Sequence, residues 1–271
     1  MTDSTKNGGT RVFLELGPRP EEPTQLVRPG ARSSYPADVL ARLDADAEAV
    51  IARYRDDSAG EGATTSRSAL LPLLHLVQSE DGYITPAGID FCSGKLGLTG
   101  AEVAAVSTFY SMYRRGPTGE YLVGVCTNTL CAIMGGDAIF EALEDHLESA
   151  GSRDEASHSI STSDGKITLE HIECNAACDY APVVMVNWEF FDNQTPESAR
   201  TLVDALRSGE RVTPSRGATL CSFRETARTL AGFADTRAEA AEAQTSGAAT
   251  LAGLRVVAAQ STDNPSSGEG K

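Results

Sequence analysis

The chain has 271 residues, 41% of them hydrophobic, and a formal net charge of −15. This charge repels the phosphates of nucleic acids and argues against binding to an anionic membrane surface. No run approaches the roughly 18 apolar residues of a membrane-spanning helix. The N-terminal sequence MTDSTKNGGTRVF lacks the basic and apolar regions of a secretory signal. A cytosolic protein is therefore expected, in which six cysteines favour metal binding or catalysis over disulfides.

The N-terminal half predicts an arm and a helical bundle. Residues 1–34 are rich in Gly, Pro, Arg and Ser without periodicity, which predicts an extended or disordered arm. Residues 35–116 predict a small bundle of four helices. The second helix starts near residue 70, the third follows the cap Thr85-Pro86, and the fourth begins with the capping box Thr99-Gly-Ala-Glu102. The first helix has an apolar face with a spacing near 3.6, formed by Leu40, Leu43, Ala47, Val50, Ile51 and Tyr54.

After residue 117 the hydrophobic period changes from helical to alternating. Residues 121–125 predict a strand that runs into Cys126, followed by a helix that ends at Gly151. Three further strands are predicted at 166–173, 183–186 and 189–192, and a last helix is capped by Thr195-Pro196 and ends at Gly209. The order β-α-β-β-β-α predicts a mixed sheet with helices packed on it, so the fold class is α+β. Residues 117–208 would form a thioredoxin-like domain, and residues 209–271 a partly disordered C-terminal extension.

Four of the six cysteines form two close pairs. Cys126 and Cys131 are spaced Cys-x4-Cys, and Cys174 and Cys178 are spaced Cys-x3-Cys. Neither pair has the Cys-x-x-Cys spacing of a thioredoxin-type redox pair, and together they match a zinc ribbon poorly. A [2Fe–2S] cluster needs two thiolates on each of two irons, and the x4 spacing occurs in plant-type ferredoxins. Both pairs follow predicted strands, whose ends converge in an α/β sheet, so one loop could hold each iron. The spacing favours a [2Fe–2S] cluster, with zinc or unliganded thiols as alternatives.

Small or apolar residues surround the two pairs. A shell of this kind is expected to limit the access of water to a metal centre. Its members are Leu130, Ala132, Ile133 and Met134 in one loop, and Ala176, Ala177 and Pro182 in the other. The remaining cysteines, Cys92 and Cys221, lie in apolar or amphipathic segments and are predicted to be core or docking thiols.

The motifs CTNTLC and CNAAC, the second followed by AP and an apolar strand, carry a resemblance to a known family. They resemble the thioredoxin-like [2Fe–2S] ferredoxin subunit of bacterial NADH:quinone oxidoreductase, which is the E subunit of respiratory complex I. The upstream stretch GYITPAGIDFCSGKLGLTGAEVAAVSTFYSMY resembles the helical segment of that family. The resemblance covers about residues 36–208 and leaves both longer termini outside it.

The resemblance implies that the cluster is bound by Cys126, Cys131, Cys174 and Cys178. It implies an electron-transfer subunit of an NADH dehydrogenase of the translocase type, without a complete active site on this chain. Single electrons would pass between the cluster and the FMN of a partner flavoprotein, which would also bind NADH. Other iron–sulfur subunits of complex I would be further partners. The chain would be cytoplasmic and attached through the complex to the inner face of the cell membrane.

The sequence leaves other functions open. No G-x-G-x-x-G follows a predicted strand, so the chain need not bind NADH itself. The same module could serve an NAD-linked hydrogenase or formate dehydrogenase, and a zinc-stabilised binding module belongs to a different class. The bundle is interpreted as a docking element for the flavoprotein, through the surface around residues 107–115.

Three further predictions are local: two concern the junction of the two domains, and one concerns the proline after the second cysteine loop. Phe109, Tyr110 and Tyr113 are predicted to pack between bundle and sheet, with a partner contact as the alternative. Arg114 and Arg115 are predicted to lie in a solvated turn, with contact to an acidic partner as the alternative. The Ala181–Pro182 bond, just before a strand, is predicted to be cis, as thioredoxin-like folds commonly have it.

Overall fold

The computed structural model describes residues 28, 30–54, 65–148, 151–154, 158–243 and 246–263. Most of the arm predicted at 1–34 therefore lies outside the described residues. Within them, no helix is long and apolar enough to span a membrane.

The first part of the chain forms the expected helical bundle. Its helices are α1 (Ala37–Ala52), α2 (Leu70–Asp81), α3 (Pro86–Leu96) and α4 (Gly100–Phe109), with a 3-10 turn at Thr65–Ala69 before α2. The side chain of Thr85 caps α3 by accepting a hydrogen bond from the Gly88 N–H, and Thr99 with Glu102 forms the predicted capping box. On α1, Leu43, Ala47, Val50 and Ile51 enter the core, whereas Leu40 and Tyr54, at the ends of the predicted face, are exposed.

A six-stranded mixed sheet follows, in the order β2-β3-β4-β1-β5-β6. The strands are β1 (Tyr121–Cys126), β2 (Gly151–Arg153), β3 (Ile160–Thr162), β4 (Ile167–Ile172), β5 (Val184–Val186) and β6 (Glu189–Phe191). Only β1 and β4 are parallel, and the other neighbours are antiparallel. Helices α5 (Thr129–Ile133), α6 (Gly136–Glu148) and α7 (Pro196–Ser208) complete the domain. Apolar residues of α6 and α7 share one core with those of the sheet.

The sheet contains two strands that the sequence prediction missed, β2 and β3. Each is three residues long, and β2 lies at the edge of the sheet with two of its residues exposed. So short a segment has no alternating pattern to detect, because its conformation depends on pairing with a neighbouring strand, β3 for β2 and β4 for β3, rather than on its own sequence. Gly151, predicted as the end of a helix, is the first residue of β2.

The C-terminal extension connects the sheet domain with the bundle. Val212 and Leu220 pack against the core of the sheet, and helix α8 (Phe223–Leu230) packs against α2. Ala231 is fully buried in the bundle core, so the extension supplies part of that core. Helix α9 (Ala248–Asp263) follows, with Leu254, Val256 and Val257 exposed to solvent.

Candidate iron–sulfur site

The two cysteine loops leave the sheet at the same edge, because β1 and β4 are parallel neighbours. Cys126 is the last residue of β1 and pairs with Ile172, the last residue of β4. Cys131 lies on α5, and Cys178 begins a 3-10 turn that ends at Tyr180. The four predicted thiols line one pocket together with three further residues, Asn175, Ala177 and Val183. The structure thus brings together all four cysteines that the sequence singled out.

The first loop is held tightly by the backbone around it. The Cys126 N–H donates to the Val183 carbonyl at 3.1 Å, and the Asn128 amide donates to the Ile172 carbonyl at 3.0 Å. A Cβ atom at Gly136 would lie 2.4 Å from the Cys126 oxygen and 2.9 Å from the Cys131 oxygen. Only glycine therefore permits α6 to begin this close to both cysteines.

The second loop is more open and contains a left-handed residue. Ala176, between the two cysteines, has a φ of 56°, which is unusual for a residue with a Cβ atom. The Asn175 amide donates to the nearby Glu173 carbonyl at 2.9 Å, so this contact is local to the loop. Cys174 is exposed to solvent and Cys178 is partly exposed. The following Ala181–Pro182 bond is cis, as predicted.

The distance between the two thiols of the second loop fits the binding of one metal ion by that pair. Cys174 Sγ lies 3.4 Å from Cys178 Sγ. A tetrahedral metal that holds two thiolates at about 2.3 Å sets their sulfurs about 3.8 Å apart, so a small adjustment admits one metal ion. Among the described residues, no group of three or more His, Cys, Asp or Glu side chains is placed to hold a single ion.

Burial and hydrogen bonds between paired cysteines raise the pKa of one thiol in each loop. Burial, and then the hydrogen bond with Cys126, raise the pKa of Cys131 to about 11. The hydrogen bond with Cys174, followed by burial, raises the pKa of Cys178. Both groups are therefore thiols at neutral pH, and a metal that bound them would have to displace their protons. The Asn128 amide nitrogen lies 3.9 Å from Cys126 Sγ and offers that sulfur a weak hydrogen bond.

The shell around the site differs from the predicted one in the first loop, whereas Ala177 and Pro182 of the second loop are buried as expected. Leu130, Ile133 and Met134 are exposed, with Ile133 at 76% of its full accessibility, so they form an apolar rim and do not shield the thiols. The buried shell consists of Ala177, Ala181, Val183 and Met185, which pack around Cys126 and Cys131. Sequence reasoning also missed Asn128 and Gly136, although both lie in or beside the motif CTNTLC.

Residues outside the site confirm some predictions and correct others. Cys92 is fully buried in the bundle core, where burial raises its pKa to about 12. Cys221 is half-buried, with its Sγ 3.3 Å from Thr226 Oγ1. The prediction that Phe109 and Tyr110 pack between the domains is wrong, because both are exposed, whereas Tyr113 is buried in the bundle core. The solvated turn is also corrected, since the largely buried Arg114 side chain pairs with Glu170 of β4 at 2.5 Å.

Comparison with known proteins identifies the family. The model of the thioredoxin-like [2Fe-2S] ferredoxin family matches residues 47–207, more than half of the chain. The chain belongs to this family. The E subunit of NADH-quinone oxidoreductase from Mycobacterium tuberculosis (strain H37Rv) is 63% identical over 252 residues, which cover 93% of each chain. The protein of the same name from Rickettsia bellii is 34% identical over 163 residues, 60% of this chain and 89% of its own. The sequence-based assignment to the family of the E subunit is confirmed.

The two relatives differ in how much of this chain they match. A match of 252 of the 271 residues must reach beyond α8, whereas the rickettsial match is about as long as the family core. Among solved structures, an NAD+-reducing [NiFe]-hydrogenase in the air-oxidised state is 19% identical. The match covers 52% of this chain and 23% of the hydrogenase chain, with a TM-score of 0.44. The predicted α+β fold class, a helical bundle followed by a thioredoxin-like mixed sheet, is confirmed.

Proposed function

We propose that the chain is the electron-transferring E subunit of an NADH:quinone oxidoreductase and that it carries a [2Fe–2S] cluster. The observation that carries this proposal is the single pocket lined by Cys126, Cys131, Cys174 and Cys178 at one edge of the sheet. Membership of the [2Fe-2S] ferredoxin family and the 63% identity to a protein of that name support it. The chain would lie on the cytoplasmic side, at the inner face of the cell membrane, attached through the complex.

Each loop would provide two thiolates to one iron. The buried pair Cys126 and Cys131 would bind one iron, and the pair Cys174 and Cys178, whose sulfurs already lie 3.4 Å apart, the other. When bound, the cluster supplies a centre that accepts and returns one electron at a time. The protein around it keeps water from the inner pair through the buried residues Ala177, Val183 and Met185. The Asn128 amide, 3.9 Å from Cys126 Sγ, would stabilise negative charge on that sulfur.

The exposed side of the site is suited to exchange with a partner. Cys174 is exposed in the second loop, and the apolar rim of Leu130, Ile133 and Met134 is exposed in the first loop. An apolar surface next to an accessible ligand excludes water when a partner covers it. The partner would be a flavoprotein subunit that holds FMN and binds NADH, with the other iron–sulfur subunits of the complex close by.

A second exposed surface supports the docking role of the bundle. Phe109 retains 79% of its accessibility at the end of α4, and Tyr110 beside it is also exposed. Aromatic residues exposed in this way are enriched at protein interfaces. We expect Phe109→Glu to reduce the amount of co-purifying flavoprotein by about tenfold or more. Leu40→Glu, at an exposed apolar position on α1, is the matched control, and an equal effect of both changes would contradict the docking role.

The cluster assignment is tested by spectroscopy and metal analysis of the purified chain. A reddish-brown protein with two irons and two acid-labile sulfides per chain is expected. Serine at any of the four site cysteines should abolish or distort the visible spectrum, because a hard oxygen ligand replaces a soft thiolate. Cys221→Ser is the control and should leave the spectrum unchanged. A colourless protein with one zinc would support a zinc-stabilised binding module instead. Purification with hydrogenase or formate dehydrogenase subunits would assign the same module to another complex.

A further inference from the structure

The two cysteine pairs differ sharply in their access to solvent. Cys126 and Cys131 retain only 4% and 2% of their accessibility. Cys174 is exposed, and Cys178 is partly exposed. A large donor molecule can therefore reach the second pair from solvent but not the first.

The two loops also differ in how firmly they are fixed. The first pair is held between β1 and α6, where the Cys126 N–H bonds to Val183 and Gly136 packs against both cysteine carbonyls. The second pair lies on the segment between β4 and the 3-10 turn, where Ala176 adopts a left-handed conformation. The first pair is thus a preformed, enclosed half-site, and the second is an accessible one.

We propose that the cluster enters through the exposed pair: Cys174 and Cys178 take a [2Fe–2S] unit from a thiolate-ligated donor before Cys126 and Cys131 bind it. This inference rests on the proposed function, because it assumes that the four cysteines hold the cluster. The donor keeps two of its own thiolates on the cluster during the first step. In the second step the buried pair replaces them, and the donor is released.

Each step is a ligand exchange without any change of oxidation state. An incoming cysteine forms an iron–sulfur bond as one donor thiolate leaves, and the proton lost by the cysteine is taken up by the departing thiolate. Two exchanges occur at Cys174 and Cys178, and two follow at Cys126 and Cys131. The reverse order would require the donor to reach Cys131, whose side chain is almost fully buried.

The order is testable with the full-length apoprotein and a glutathione-ligated [2Fe–2S] complex as the donor probe. Two double variants are compared by native mass spectrometry: Cys126→Ser with Cys131→Ser, and Cys174→Ser with Cys178→Ser. The first variant keeps the exposed pair, so we expect it to retain the cluster with two glutathione molecules still bound. The second variant should form no such adduct. Far-UV circular dichroism of both apoproteins checks that they are folded.

Every other pattern of adduct formation on the two double variants contradicts the proposed order. An adduct on the second variant alone, or equal adducts on both, would show that the exposed pair is not required first. No adduct on either variant would mean that transfer needs all four thiols together. If the wild-type chain takes up a full cluster in any of these cases, the cluster assignment stands and only the proposed order is overturned. A wild-type chain that takes up no iron would overturn the proposed function and this inference with it.

A second measurement needs no variant and covers the case in which a double variant does not fold. The wild-type apoprotein is alkylated briefly with iodoacetamide, and the modified cysteines are located by peptide mass spectrometry. Cys174 and Cys178 should react about tenfold faster or more than Cys126 and Cys131, because only accessible thiols are alkylated. Equal rates for the two pairs would remove the basis of the proposed order.

Discussion

Replacing Gly136 with alanine tests how closely the first cysteine loop is held against α6. The added methyl group would lie 2.4 Å from the Cys126 oxygen and 2.9 Å from the Cys131 oxygen. Real Cβ atoms stay at least 3.0 Å from such neighbours. Both contacts are to backbone oxygens, which cannot rotate away as a side chain could. The helix and the loop must therefore separate.

The size of this separation predicts how much the substitution weakens cluster binding and lowers stability. To reach 3.0 Å from the Cys126 oxygen, the two segments must move apart by about 0.6 Å. Binding sites function when their groups are held within about 0.5 Å of the required geometry, so the displacement is enough to weaken ligation. Crowding a well-packed region by one methyl group costs about 1–3 kcal/mol. We therefore expect the free energy of unfolding of the apoprotein to fall by about 1–3 kcal/mol.

Two measurements and one control complete this test. Urea unfolding of the apoprotein gives the change in stability, and the rate at which visible absorption is lost reports how firmly the loaded chain holds its cluster. Gly94→Ala is the control, because Gly94 lies on α3 and, apart from its chain neighbours and the nearby backbone of that helix, no atom lies within 4 Å of an added Cβ. It should stabilise the chain by about 0.5–1 kcal/mol, since glycine loses more backbone entropy than alanine on folding. If Gly136→Ala matched the wild type in both measurements, the close packing described for the first loop would be refuted.

Three further predictions concern stability, measured by urea unfolding. Ala176→Gly should stabilise the chain by up to about 1 kcal/mol, because glycine adopts the left-handed conformation without strain, and a loss of stability would contradict this. Burial lowers the pKa of His75 to about 4, so the unfolded chain binds the proton first as pH falls. Stability should therefore decrease from about pH 6.5 to about pH 4, on the order of 3 kcal/mol, and His75→Leu should remove this dependence. Phe223→Ala should cost about 3–5 kcal/mol because the ring is fully buried, whereas the exposed control Leu230→Ala should cost far less; equal costs would contradict the packing of α8.

Local sequence signals predicted the helical boundaries well. Thr85, Thr99 and Thr195 all cap helices as expected, since a cap depends on residues within one turn. The sequence analysis did not single out Ser222 and Glu225, which form a capping box at the start of α8. The packing of α8 could not be predicted in this way, because its partner α2 ends more than 140 residues earlier in the chain.

The site was predictable in its ligand candidates but not in its surface. The spacing of the four cysteines depends on sequence alone, and the parallel pairing of β1 with β4 brings the loops together. The exposure of Leu130 and Ile133 depends instead on which side of α5 faces the sheet. Their apolar character suggested a buried shell, whereas the side chains that shield the inner thiols include Val183 and Met185 of the third predicted strand. Hydrophobicity alone does not distinguish a core residue from an interface residue.

The relative position of bundle and sheet is fixed at two places. At the first, Arg114 follows the bundle and pairs with Glu170 of β4, the strand that leads into Cys174. Burial raises the pKa of Glu170, whereas the charge of Arg114 acts in the opposite direction and favours the carboxylate. Removing one partner of such a pair leaves a buried charge, which costs about 3–5 kcal/mol. This pair therefore resists separation of the two domains.

The second connection is the C-terminal extension. The Phe223 N–H donates to the Glu120 carbonyl at 2.8 Å beside the sheet, and its ring contacts Trp188 at a centroid distance of 5.4 Å. Farther along α8, Arg228 pairs with Asp46 of α1 at 2.8 Å. A flavoprotein that contacted Phe109 on the bundle and the apolar rim of the first loop would therefore meet two surfaces already held in a fixed relation. That preorganisation would lower the entropy lost on association, so the extension would contribute to docking even though neither surface belongs to it.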